Sequence, residues 1–96
     1  GPFRDWKPFM PGELSARRKK LLYRSTYTGT KETDLLLGGF ARRHMATLTD
    51  AQLDSYEALL EIEDPRLYKW ISGMEEAPAA FQNDVLELIR DFKLME

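Results

Sequence analysis

The chain has no cysteine and a single histidine, His44, among its 96 residues. Disulfides and thiolate metal sites are excluded, and a reducing compartment is favoured. One imidazole, with no carboxylates at ligand spacing beside it, gives no basis for a metal centre. No apolar run approaches the ~20 residues of a membrane-spanning helix. The N-terminus carries no signal-peptide pattern, and Gly1-Pro2 reads as the remnant of a removed tag. No segment alternates as a strand does, and no repeat or low-complexity tract occurs. Gly29, Gly38 and Gly39 match neither the phosphate-loop nor the dinucleotide spacing. Serine, threonine and tyrosine are plentiful, but no base accompanies them for nucleophilic catalysis. These absences argue against an enzyme.

What is present suits one ordered domain. Apolar residues make up 43% and charged residues 31% of the chain, which is the balance of a folded globule. At this length folding buries about two-thirds of the unfolded surface, so one small core is the limit. The formal net charge of −2 hides an asymmetry. Residues 1–48 carry ten Lys/Arg and four Asp/Glu; residues 49–96 carry four and twelve. The resulting dipolar surface favours a charged protein partner, and the acidic half disfavours nucleic acid.

Residues 1–12 read as an arm, because Pro2, Pro8, Pro11 and Gly12 prevent regular structure. Residues 13–96 read as the helical domain. The first helix is expected over 13–27, capped by Ser15, with Leu14, Leu21 and Leu22 on one face and the basic tetrad Arg17 to Lys20 on a solvated one. Thr26, Tyr27 and Thr28 are poor helix formers, and Gly29 suits a C′ position with positive φ. A second helix is expected over 30–47. Leu36, Phe40 and His44 form one line, Leu37, Ala41, Met45 and Leu48 the next, and Leu35 flanks them. Glu32 and Asp34 favour its N-terminal dipole; Arg42, Arg43 and His44 favour its C-terminal end. Gly38-Gly39 costs roughly 1 kcal/mol per glycine, which points to close approach of a neighbouring helix such as the first.

Thr49-Asp50-Ala51-Gln52 is a capping box opening a third helix to about residue 61, with Leu53, Tyr56, Leu59 and Leu60 inward. Asp64-Pro65 reads as a cap followed by proline at the first position of a short fourth helix, which Gly73 closes. A fifth helix is expected from Pro78 or Ala79, with Phe81, Val85, Leu88, Ile89 and Phe92 as its buried stripe. The whole is an all-α, compact five-helix bundle.

The run Tyr27-Thr28-Gly29-Thr30-Lys31-Glu32 is the corner between the first two helices. On the residues alone two readings stand. Gly29 ends a helix while Glu32 serves a dipole, or the bare backbone at Gly29 and the carboxylate of Glu32 form a contact surface.

The residues also carry a resemblance. Leu21-Leu22-Tyr23-Arg24-Ser25, then Gly29-Thr30-Lys31-Glu32-Thr33-Asp34-Leu35-Leu36-Leu37 and Phe40-Ala41, resemble the succinate dehydrogenase flavinylation factor family. Leu48-Thr49 through Tyr56, Leu59-Leu60, Asp64-Pro65, Leu67, Tyr68 and Trp70 agree, so the similarity covers roughly residues 16 to 92. The family signature is Arg-Gly-x-x-Glu. Gly29 and Glu32 occupy its glycine and glutamate, and Thr28 stands in the arginine position, with Arg24 one helical turn back as a partial substitute. The resemblance implies an assembly factor that binds the flavoprotein subunit of succinate dehydrogenase, and by analogy that of fumarate reductase. The factor would promote covalent FAD attachment by stabilising a client conformation. FAD would belong to the client, and this chain would bind no cofactor or metal, no nucleic acid and no membrane. Arg24, Tyr27, Thr28, Gly29, Thr30, Lys31 and Glu32 would form the partner-binding site. A monomer in the bacterial cytoplasm or the mitochondrial matrix is implied. The alternative from the residues alone is a helical, antitoxin-like regulator using Arg17 to Lys20.

Overall fold

The computed structural model describes residues 14–94, so the arm expected over 1–12 lies outside the described residues. Among the described residues five α-helices follow one another: α1 Ala16–Ser25, α2 Lys31–His44, α3 Asp50–Leu60, α4 Arg66–Ile71 and α5 Asp84–Leu94. No strand occurs among the described residues, and the all-α five-helix expectation holds.

The caps explain most boundaries. Ser15 Oγ accepts from the Arg18 amide at 3.3 Å and starts α1. The capping box of Thr49 and Gln52 forms in both directions. Several ends differ from expectation. α1 stops at Ser25, two residues early, because the amides of Thr26 and Tyr27 turn back to the carbonyls of Tyr23 and Arg24, three positions away. Gly29 has the expected positive φ, +124°, but it precedes the Thr30 N-cap of α2 and does not sit at the C′ position of α1. α2 ends at His44, ahead of the β-branched Thr47. Pro65 occupies the cap position of α4, and Asp64 supplies the cap bond, its Oδ1 accepting from the Tyr68 amide at 3.2 Å. Gly73 closes α4 with φ +82°.

The largest correction is at the last helix. Residues 79–81 form a separate 3₁₀ turn, and α5 begins only at Asp84. Asn83 Oδ1 accepts from the Leu86 amide at 3.1 Å, an N-cap that splits the expected helix. Phe81 therefore leaves the stripe and packs on Trp70 instead, ring centroids 5.2 Å apart. Val85, Ile89 and the unpredicted Leu86 are buried, with Leu88 and Phe92 partly so.

The core gathers around Phe40, which meets Tyr56 at 5.7 Å, Phe92 at 6.1 Å and His44 at 4.7 Å between centroids. Leu36, Leu37, Ala41 and Met45 are buried as the α2 pattern requires, whereas Leu35 is 64% exposed and does not flank the core. The double glycine serves two neighbours. A Cβ on Gly38 would stand 3.2 Å from Thr26 Cγ2, at the end of α1, and one on Gly39 would stand 3.2 Å from Phe92 Cζ on α5.

The charge asymmetry is partly spent inside the molecule. Arg17 of α1 reaches Asp54 at 2.7 Å and Glu57 at 2.8 Å on α3. Arg18 donates to the carbonyl of Met45, the C-cap of α2, at 2.6 Å. Two of the four cations in the basic tetrad are therefore engaged by neighbouring helices, and the solvated basic face reduces to Lys19 and Lys20. Beneath the corner, Ser25 and Tyr56 are both fully buried and hydrogen-bonded to each other. Ser25 Oγ donates its one proton to the Leu21 carbonyl at 2.7 Å, so the Tyr56 hydroxyl is the donor to Ser25. Burial raises the Tyr56 pKa well above its ordinary value.

Candidate functional site

Residues 26–32 leave α1, turn at Gly29 and enter α2. Two carboxylates hold the turn. The Thr28 amide and hydroxyl both donate to Asp34 Oδ1, at 2.6 and 2.5 Å. Thr30 caps α2, its Oγ1 accepting from the Thr33 amide at 3.4 Å. The same hydroxyl lies 3.0 Å from Thr33 Oγ1 and 3.3 Å from Asp64 Oδ2, and Thr33 Oγ1 donates to Asp64 Oδ1 at 2.9 Å. Short polar side chains thus bond local backbone and neighbouring acids where helix hydrogen bonds are missing.

Between these clamps stands Gly29. It is exposed, and nothing lies within 4 Å of the place a Cβ would occupy. The glycine is needed for its φ of +124°, not for room within the chain. Lys31 and Glu32 follow, both exposed. Glu32 sits in the first turn of α2, where a carboxylate suits the helix dipole. It makes no hydrogen bond or ion pair with the described residues.

The structure brings Thr28, Gly29, Thr30, Lys31 and Glu32 together as one corner, with Tyr27 at its α1 side. Arg24 is placed differently. Its guanidinium reaches across to Glu61 at the end of α3, at 2.7 Å, and is not a substitute arginine on the corner. Thr28 is also committed, since its hydroxyl turns onto Asp34.

Tyr23, Leu35, Asp34 and Asp64 escaped the sequence reading as parts of this surface, which included Tyr27. Tyr23 and Tyr27 pack ring to ring at 4.7 Å and remain 66% and 68% exposed. Their i, i+4 spacing was a usable signal. Leu35 lies one turn beyond Lys31 with its side chain in solvent. Asp34 and Asp64 read as a dipole partner and a helix cap; no local pattern shows that they fasten the turn. Next to the corner, Glu61, Ile62, Glu63, Asp64, Pro65, Arg66, Lys69 and Glu75 line an open groove of about 610 Å³. No group of three His, Asp or Glu among the described residues is arranged to hold a metal ion, and no described helix is long and apolar enough to cross a membrane.

Comparison with known proteins agrees with the resemblance. The family described as flavinator of succinate dehydrogenase matches residues 19–93. The chain is 44% identical over 78 residues to succinate dehydrogenase assembly factor 2, mitochondrial, of Dictyostelium discoideum, covering 81% of this chain and 55% of that protein. It is 42% identical over 65 residues to the FAD assembly factor SdhE of Acetobacter pasteurianus, covering 68% of this chain and 60% of that protein. The assembly factor 2 of Danio rerio is 29% identical over 93 residues, 95% of this chain and 59% of that protein. The chain spans somewhat over half the length of these relatives. With matched residues extending from α1 through most of α5, the chain belongs to the succinate dehydrogenase flavinator family.

Proposed function

We propose that this chain is an assembly factor that binds the flavoprotein subunit of succinate dehydrogenase and promotes covalent attachment of its FAD. The observation that carries the reading is the corner at Gly29. Exposed backbone with φ +124° is held on both sides by carboxylate clamps, next to an exposed Glu32 that no described residue engages. A rigid, bare turn costs little entropy to dock and admits close approach of another backbone. The stacked pair Tyr23 and Tyr27 adds amphipathic contact area beside it.

The factor supplies no catalytic group in this reading. It binds one arrangement of the client better than the others and so shifts the client's population toward the flavinylation-competent one. FAD stays with the client: the groove beside the corner sets four carboxylates, Glu61, Glu63, Asp64 and Glu75, against two cations, Arg66 and Lys69, a net negative lining that disfavours a diphosphate. We extend the proposal to the fumarate reductase flavoprotein as a second client and to a monomeric factor, in the bacterial cytoplasm or the mitochondrial matrix.

The test is to add the purified chain to FAD-loaded flavoprotein subunit and follow covalent flavin by in-gel fluorescence. An increase, with co-elution on size exclusion, is expected. Neither an increase nor a complex would sink the proposal.

A further inference from the structure

We infer that Asp64 is a positioning residue for the corner, acting from a different part of the fold; this rests on the assembly-factor reading above. Asp64 stands in the connection between α3 and α4, 34 positions from Thr30 and 31 from Thr33. Its Oδ1 accepts from the Thr33 hydroxyl at 2.9 Å and from the Tyr68 amide at 3.2 Å, while Oδ2 lies 3.3 Å from the Thr30 hydroxyl.

The carboxylate ties the start of α2 to the connection before α4. Thr33 is fully buried and its hydroxyl donates to Asp64, while the exposed Thr30 hydroxyl lies between Thr33 Oγ1 and Asp64 Oδ2. Without Asp64 the Thr33 proton falls back on Thr30 Oγ1, which already accepts from the Thr33 amide, and the first turn of α2, with its Thr30 cap, loses the charge-assisted bond that sets its orientation against α4. Gly29 precedes that cap and Glu32 lies in that turn. Asp64 therefore registers the two exposed groups of the corner against α4, although it belongs to neither the corner nor α2.

The competing role is a cap for α4 alone, through the Tyr68 amide. The two separate in binding to purified flavoprotein subunit, measured for the full chain with Asp64→Ala, Asp64→Asn, Thr33→Val and the Thr33→Val/Asp64→Ala double variant. Positioning predicts that Asp64→Ala weakens client binding roughly tenfold or more, the scale of one charge-assisted bond. Asp64→Asn keeps an acceptor oxygen for Thr33 and recovers most of that loss. Thr33→Val leaves the α4 cap intact and still weakens binding, and the double variant binds no more weakly than Asp64→Ala. Thr33→Val with wild-type affinity, or losses that multiply in the double variant, would overturn the inference. Should Asp64→Ala unfold, Asp64→Asn and Thr33→Val decide alone. Glu32→Ala separates this failure from that of the underlying reading: wild-type binding by Glu32→Ala removes the corner as a site and the role of Asp64 with it.

Discussion

The amide and the hydroxyl of Thr28 both donate to one oxygen of Asp34, at 2.6 and 2.5 Å. The Thr28 side chain is thus turned inward, onto the first turn of α2. Thr28→Arg keeps the amide bond and loses only the hydroxyl bond, a stability cost of about 1 kcal/mol. It places a guanidinium fork at the corner, so affinity for the flavoprotein subunit is expected to rise several-fold, the gain of a charge-assisted bond over a neutral one. Titration calorimetry with the client measures this, and unchanged affinity would remove position 28 from the contact.

The Ser25 and Tyr56 pair predicts an asymmetry. Tyr56→Phe removes the donor, and Ser25 keeps its own bond to the Leu21 carbonyl. Ser25→Ala leaves the Tyr56 hydroxyl buried with no acceptor. The first is expected to cost about 1 kcal/mol and the second about 2–3 kcal/mol, from the penalty of an orphaned buried donor. Urea denaturation of the two variants tests the order; the reverse order would contradict the assigned donor.

The adjacent glycines of α2 should respond differently to alanine. Gly39 faces the rim of Phe92, a half-buried ring near the end of α5 that needs to give only a few tenths of an ångström, so the helix-propensity gain of up to about 1 kcal/mol leaves Gly39→Ala neutral or more stable. Gly38 faces Thr26, whose hydroxyl is fixed on the Tyr23 carbonyl at 2.8 Å and cannot yield as easily. Gly38→Ala is expected to lower the melting temperature by several degrees, as about 1 kcal/mol does at this size. Equal melting temperatures would show that the end of α1 is softer than its contacts imply.

His44 gives the fold a pH dependence of known sign. Burial first, and the charge of Arg43 second, lower its pKa from 6.5. The unfolded chain therefore takes up the proton at higher pH than the native one. Stability present above pH 6.5 falls as pH drops below it, and the decline ends once the native imidazole is also protonated. Replacing His44 with glutamine should flatten the melting temperature between about pH 7 and 5.5, above the main carboxylate titrations. An identical slope in the variant would assign it to other groups.

The helices were legible because their signals are local. The cap at Ser15, the Thr49 and Gln52 box and the α2 stripe each span a few residues, and each formed. The split before α5 is equally local, set by the Asn83 cap, but the apolar spacing from Phe81 onward runs straight across it and marks no break. The corner was legible only as a stretch with a glycine and an acid. Its fastening was not, because the Thr33 bond to Asp64 joins residues 31 apart and exists only once α4 packs near the start of α2. Leu35 read as core for a related reason: a helical line marks neighbours on a face but not where the face ends.

The central claim concerns Glu32 and the turn that presents it. Covalent flavin on the flavoprotein subunit, read by in-gel fluorescence with wild-type chain and with Glu32→Ala, tests it most directly. Glu32 is exposed, so the substitution should leave the melting temperature within a degree or two, as surface changes of about 0.5 kcal/mol do. The prediction is that wild-type chain raises covalent flavin and Glu32→Ala, equally folded, does not. Full stimulation by Glu32→Ala would contradict it.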